Sequence, residues 1–77
     1  MDDSEIRSRI EALVEEERHL RESGEHTDDQ RARLRQIEED RDQLWDLLRQ
    51  RDAKRQYDED PDAAEVRPKS EVEGYLQ

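Results

Sequence analysis

The stretch QLWDLLRQRDAKRQYDEDPD, Gln43 to Asp62, holds the only tryptophan of the chain, three leucines, a basic run and an acidic run interrupted by a proline. On a helical projection at about 100° per residue, Leu44, Trp45, Leu47 and Leu48 spread across roughly 160°, wider than the seam one antiparallel helix covers. Trp45 and Leu47 flank the stripe on opposite sides, so a single neighbouring helix covers at most one of them well. Something further must reach this end of the chain.

Towards the N-terminus the stripe continues as Leu34, Ile37, Arg41, Leu44 and Leu48, at spacings of 3, 4, 3 and 4, with no glycine or proline before Pro61. This period predicts a helix over about residues 28–56, roughly 43 Å long. Thr27 with Gln30 forms a capping box at its start, and Asp28 and Asp29 place negative charge where the helix dipole favours it. Further upstream, Ile6, Ile10, Leu13, Val14 and Leu20 make one stripe of a helix over about residues 3–23, with Glu17 where the repeat would place an apolar residue. Asp2 or Asp3 supplies its N-cap, and Gly24 falls where a left-handed C-terminal cap is wanted. The linker of about four residues forces the two helices to lie antiparallel. The fold class is therefore all-α: a coiled-coil-like two-helix hairpin over residues 1–57.

The last 20 residues, 58–77, carry seven acids against two bases, two prolines and one glycine, with scattered Val66, Val72, Tyr75 and Leu76. No sustained period emerges. Pro61 can open one short helical turn and Pro68 can end it; otherwise the segment reads as an irregular, acidic tail. Two elements can cover the surplus apolar surface at Trp45. A second copy of the chain would make a four-helix bundle from two hairpins, or the tail would fold back and lay Val66, Val72, Tyr75 and Leu76 on the Trp45 and Leu47 end. The dimer is favoured, because a core this small rarely supplies more than about 3–5 kcal/mol. The expected interaction face comprises Ile10, Leu13, Leu44, Trp45, Leu47, Leu48, Tyr75 and Leu76.

Composition excludes several functions. Hydrophobic residues make up 29% and charged residues 49% of the 77, cysteine is absent, and the net charge is −10. No disulfide or thiolate metal site is available. The acidity opposes phosphate backbones and anionic lipid, so nucleic acid and membrane are disfavoured as partners. The opening MDDSEIRSRI lacks the basic and apolar regions of a secretory leader, and no window approaches a membrane span, which points to the cytoplasm.

The basic run Arg49, Arg51, Lys54 and Arg55 offers a contact for phosphate or an acidic partner. Its plainer role is to complement the helix dipole and pair with the acidic run downstream. Glu25, His26, Asp28 and Asp29 form an acidic loop tip that matches no calcium or zinc spacing. His19 has no ligand partner at helical spacing. Glu17 and Arg41, at stripe positions, either pair across the seam or across a dimer, or extend to solvent. A helical hairpin offers no concave pocket for a nucleophile and its base, so no enzyme activity and no cofactor are expected.

The segments EIRSRIEALVEEERHLRE (Glu5 to Glu22), LWDLLRQR (Leu44 to Arg51), DPDAAEVRP (Asp60 to Pro68) and VEGYLQ (Val72 to Gln77) resemble the short actinobacterial proteins grouped as domain of unknown function 2630. The resemblance covers nearly the whole chain. It implies a bacterial cytoplasmic protein with a helical fold and transfers no catalytic or binding residue. The functional expectation is a non-enzymatic interaction module that self-associates through the Trp45 end and meets an unidentified protein partner. The alternative is a transcription- or nucleic-acid-associated regulator working through Arg49 to Arg55 or the acidic loop tip.

Overall fold

In a computed structural model, which describes residues 1–76, the chain forms α1 (Asp3–Glu22), α2 (Asp28–Gln56) and α3 (Lys69–Leu76), with a 3₁₀ turn at Pro61–Ala63. Among the described residues there is no strand. Each boundary has a local cause. The Asp2 carboxylate accepts the Glu5 N–H at 2.8 Å and starts α1. Gly24, at φ 73°, takes the left-handed conformation just past its end. The Thr27 hydroxyl accepts the Gln30 N–H at 3.1 Å and starts α2. At the far end of α2 the Asp58 N–H donates to the Arg55 carbonyl and the Glu59 N–H to the Lys54 carbonyl, at 3.2 and 2.7 Å. That bonding pattern needs a left-handed residue, and Asp58 supplies it at φ 57°. Aspartate is one of the few side chains that tolerate the position usually taken by glycine.

Cross-helix contacts give the relative direction of α1 and α2. Asp3, at the start of α1, meets Arg51 and Arg55 near the end of α2, both at 2.6 Å, while Glu17, late in α1, meets Arg41 at 3.4 Å. Rising residue number on one helix goes with falling number on the other. The apolar core sits at the end away from the loop, where Ile6 and Ile10 pack with Leu47 and Leu48, and Leu44 and Ala64 lie against them. Towards the loop the seam turns polar. Glu16 receives Arg33 at 2.5 Å, Glu17 receives Arg41, and Leu20 and Leu34 are only half-buried.

The tail corrects the expectation of irregular structure. Pro68 does not end a helical turn; it opens α3, its carbonyl accepting the N–H groups of Glu71 and Val72 at 3.0 and 3.1 Å. Proline is pre-organised for this position and has no N–H to leave unpaired. Val72, one turn on, is fully buried. Eight residues hold barely two turns, too few to display a period. Among the described residues α3 and the 3₁₀ turn pack on α2, and α3 makes no contact with α1. The result is an elongated body of 48 × 25 × 15 Å with α2 in the middle.

Candidate interaction surfaces

The tail reaches α2 on one side of its apolar stripe. The Gln43 side-chain amide donates to the Arg67 carbonyl at 3.0 Å and that of Gln50 to the Glu65 carbonyl at 2.9 Å, while Ala64 packs on the cluster that contains Leu47. Leu47 is therefore covered by the returning chain. Trp45 lies on the opposite side of the stripe and stays 41% exposed. Docking of Tyr75 and Leu76 over Trp45 is thus corrected. The Tyr75 hydroxyl instead donates to the Asp46 carboxylate, and both tail residues remain about half exposed. Asp46, which holds Tyr75 of α3, leaves α2 about 100° away from Trp45.

Asp46 is the anchor of α3. It is 4% exposed and accepts from Gln50 at 2.9 Å and from Tyr75, while the Arg67 guanidinium stands 3.5 Å away. Arg67 also lies over the Tyr75 ring at 5.9 Å, a cation–π arrangement worth about 0.5–1 kcal/mol at an exposed site. Lys69 clips the start of α3 to Asp40 at 2.6 Å. Asp46 did not stand out in the sequence, where an acid flanked by Trp45 and Leu47 was the available signal. Of the four scattered apolar tail residues expected to fold back, Val72 is the one that is fully buried.

Glu73 works against this docking. Burial raises its pKa first, and the nearby charges of Asp42, Glu39 and Glu38 raise it further. A carboxyl group raised in the folded state adds stability while it is protonated and forfeits it as pH rises through the folded value. Glu73→Gln is therefore expected to stabilise α3 above the ordinary glutamate range, about pH 4.3, and to change little below it. Amide exchange of residues 70–76 at pH 7 and near pH 3 checks this: equal protection of variant and wild type at pH 7 refutes it.

The basic run is largely consumed within the chain. Arg51 is buried and donates to Asp3 at 2.6 Å, to Asp62 at 2.9 Å and to the Pro61 carbonyl at 3.2 Å, stapling α1, α2 and the 3₁₀ turn together. Hydrogen bonds from Arg51 and then Arg55 hold the Asp3 carboxyl below its ordinary range. Lys54 meets Glu59 at 3.4 Å, and Arg55 meets Asp3. Arg49 alone of the four has no ion pair among the described residues.

The remaining expected interface residues divide. Ile10, Leu47 and Leu48 belong to the core. Leu13 and Leu44 are half-buried and line an open groove of about 360 Å³ beside Asp40. Trp45 borders a second groove of about 250 Å³, lined also by Leu48, Arg7, Arg49 and Asp52. On a helical projection Val14 of α1 points to the same side of the molecule as Trp45, and it is 44% exposed rather than part of the seam. The side away from the returning chain thus carries a tryptophan and a valine on open surface.

These features define a small all-helical protein that leaves Trp45 and Val14 exposed on the side away from the returning chain. The chain belongs to the family described as "Protein of unknown function (DUF2630)", whose model matches residues 2–77. It is similar to the uncharacterised proteins Rv0898c of Mycobacterium tuberculosis and Mb0922c of Mycobacterium bovis. Each is 48% identical over 77 residues, covering 95% of this chain and 88% of the relative. No solved structure matches it. Among the described residues no helix is long and apolar enough to cross a membrane.

Proposed function

We propose that the protein is a non-enzymatic interaction module of the bacterial cytoplasm, a coiled-coil-like helical hairpin that self-associates through its Trp45 face into a four-helix bundle. The observation that carries the reading is Trp45 itself. An indole 41% exposed beside an open groove floored by Leu48, on the side the tail leaves bare, is a large apolar group without a partner. A second hairpin laid on this face would bury Trp45 and Val14 from both copies. The solvated acidic faces would remain free for an unidentified protein partner. A role in nucleic-acid or transcription regulation draws less support, since Arg51, Lys54 and Arg55 are neutralised by acids of the same chain.

Sedimentation equilibrium tests the reading. The wild type is expected to dimerise at roughly tens of micromolar, and Trp45→Ala to weaken the dimer at least about tenfold while helicity is unchanged. A single 9.3 kDa species at every concentration would remove self-association as the function.

A further inference from the structure

The charges around Trp45 specify how a second copy sits. Along α2 on this side, Asp52 comes first, then Arg49, Trp45, Glu38 and Arg35, all of them exposed, while Asp42 turns to Glu73 of α3. Arg7 of α1 joins Arg49 at the groove beside Trp45. The order is therefore negative, positive, apolar, negative, positive. Such a pattern is self-complementary when reversed. Arg49 and Glu38 lie symmetrically about a point midway between Gln43 and Leu44, and Asp52 and Arg35 lie symmetrically about the same point. Trp45 is within half a turn of it.

A two-fold axis through that point therefore sets Arg49 against Glu38 of a second copy, and Asp52 against Arg35, with the two indoles beside the axis. A parallel arrangement in register would set like charge on like. Among the described residues Arg7, Arg35, Glu38 and Arg49 have no ion pair within the chain, whereas Arg18, Arg33, Arg41, Arg51 and Arg55 all do. Asp52 stands 3.8 Å from Arg55 of its own helix, so among the described residues the charges without a partner on the side of the indole are Arg7, Arg35, Glu38 and Arg49.

Resting on the self-association reading above, we propose that the protein forms an isologous dimer in which α2 packs antiparallel on α2 of a second copy. The axis lies next to Trp45, and Arg49 of each copy meets Glu38 of the other. Every residue of the contact is supplied twice, and the charge order selects this register from the other ways of burying Trp45.

Reversing one charge of each pair tests it. Arg49→Glu confronts two like-charged pairs per dimer, as does Glu38→Arg, so each single variant is expected to dimerise at least about tenfold more weakly. An equimolar mixture of the two single variants pairs opposite charges at both sites. Sedimentation of that mixture should recover the wild-type dimer, and so should the double variant Arg49→Glu/Glu38→Arg alone. Both residues are exposed and unpaired, and helicity by circular dichroism confirms that the variants fold. If the single variants dimerise like the wild type while Trp45→Ala does not, the register is wrong and the Trp45 face stands. A wild type monomeric throughout removes the face as well. Loss in both single variants without recovery in their mixture would also overturn the register, since restoring opposite charges would then not restore the pairing.

Discussion

Ile6→Ala is expected to remove about 3 kcal/mol and leave the isolated chain close to its unfolding midpoint. Ile6 is fully buried and belongs to the apolar cluster with Ile10, Leu47 and Leu48. Truncating a buried isoleucine costs about 2–5 kcal/mol through lost transfer energy and the cavity left behind, and a core in a chain this short supplies about 3–5 kcal/mol in all. The cluster lies between two helices with few layers around it, so collapse into the cavity can recover part of the loss. Urea unfolding followed by circular dichroism, at a concentration below self-association, measures the effect. Leu20→Ala, at the polar loop end, is the contrast: a half-buried site there should lose about 1 kcal/mol or less. Equal losses at the two positions would contradict the placement of the core away from the loop.

The second large effect is at Val72, and it is local. Val72→Ala is expected to weaken α3 docking by about 2 kcal/mol, since Val72 is the fully buried side chain of α3 and no second residue of that helix is buried. The remaining ties of α3 are polar: Lys69 to Asp40, Tyr75 to Asp46 and Arg67 over the Tyr75 ring. Those contacts exchange water for protein with modest gain, and Glu73 opposes them. Because α3 packs on α2 and makes no contact with α1 among the described residues, its release leaves the Ile6 cluster in place. Amide exchange should show loss of protection over residues 70–76 with α1 and the centre of α2 unchanged. Protection lost everywhere in parallel would mean that α3 is part of the same cooperative unit as the core.

The parts legible in the sequence were those with short-range causes. Thr27 with Gln30, Asp2 before the first stripe and Gly24 after it are contacts made within about one turn, so their geometry follows from spacing. The end of α2 was read at about residue 56, where it lies, but its cap was not, because Asp58 takes the left-handed position without being glycine. The pairing of the basic run with acids was legible as a charge pattern. The choice of partner was not: Arg51 reaches both Asp62, eleven residues on, and Asp3, 48 residues back. The excess of apolar surface at Trp45 and Leu47 was also readable, and so was the conclusion that one helix could not cover both sides.

By itself, then, the sequence determined two helices with their caps, the thick apolar end and the surplus there, since each rests on residue type and on periods of three and four. Only the tertiary structure decided which side of the surplus is covered. The returning chain crosses the Leu47 side because Gln43, Gln50 and Arg51 present donors there to the carbonyls of Arg67, Glu65 and Pro61. Backbone carbonyls carry no sequence signature, so no reading of side chains could locate them. The same hydrogen bonds that hold the tail on Leu47 leave Trp45 in solvent on the other face.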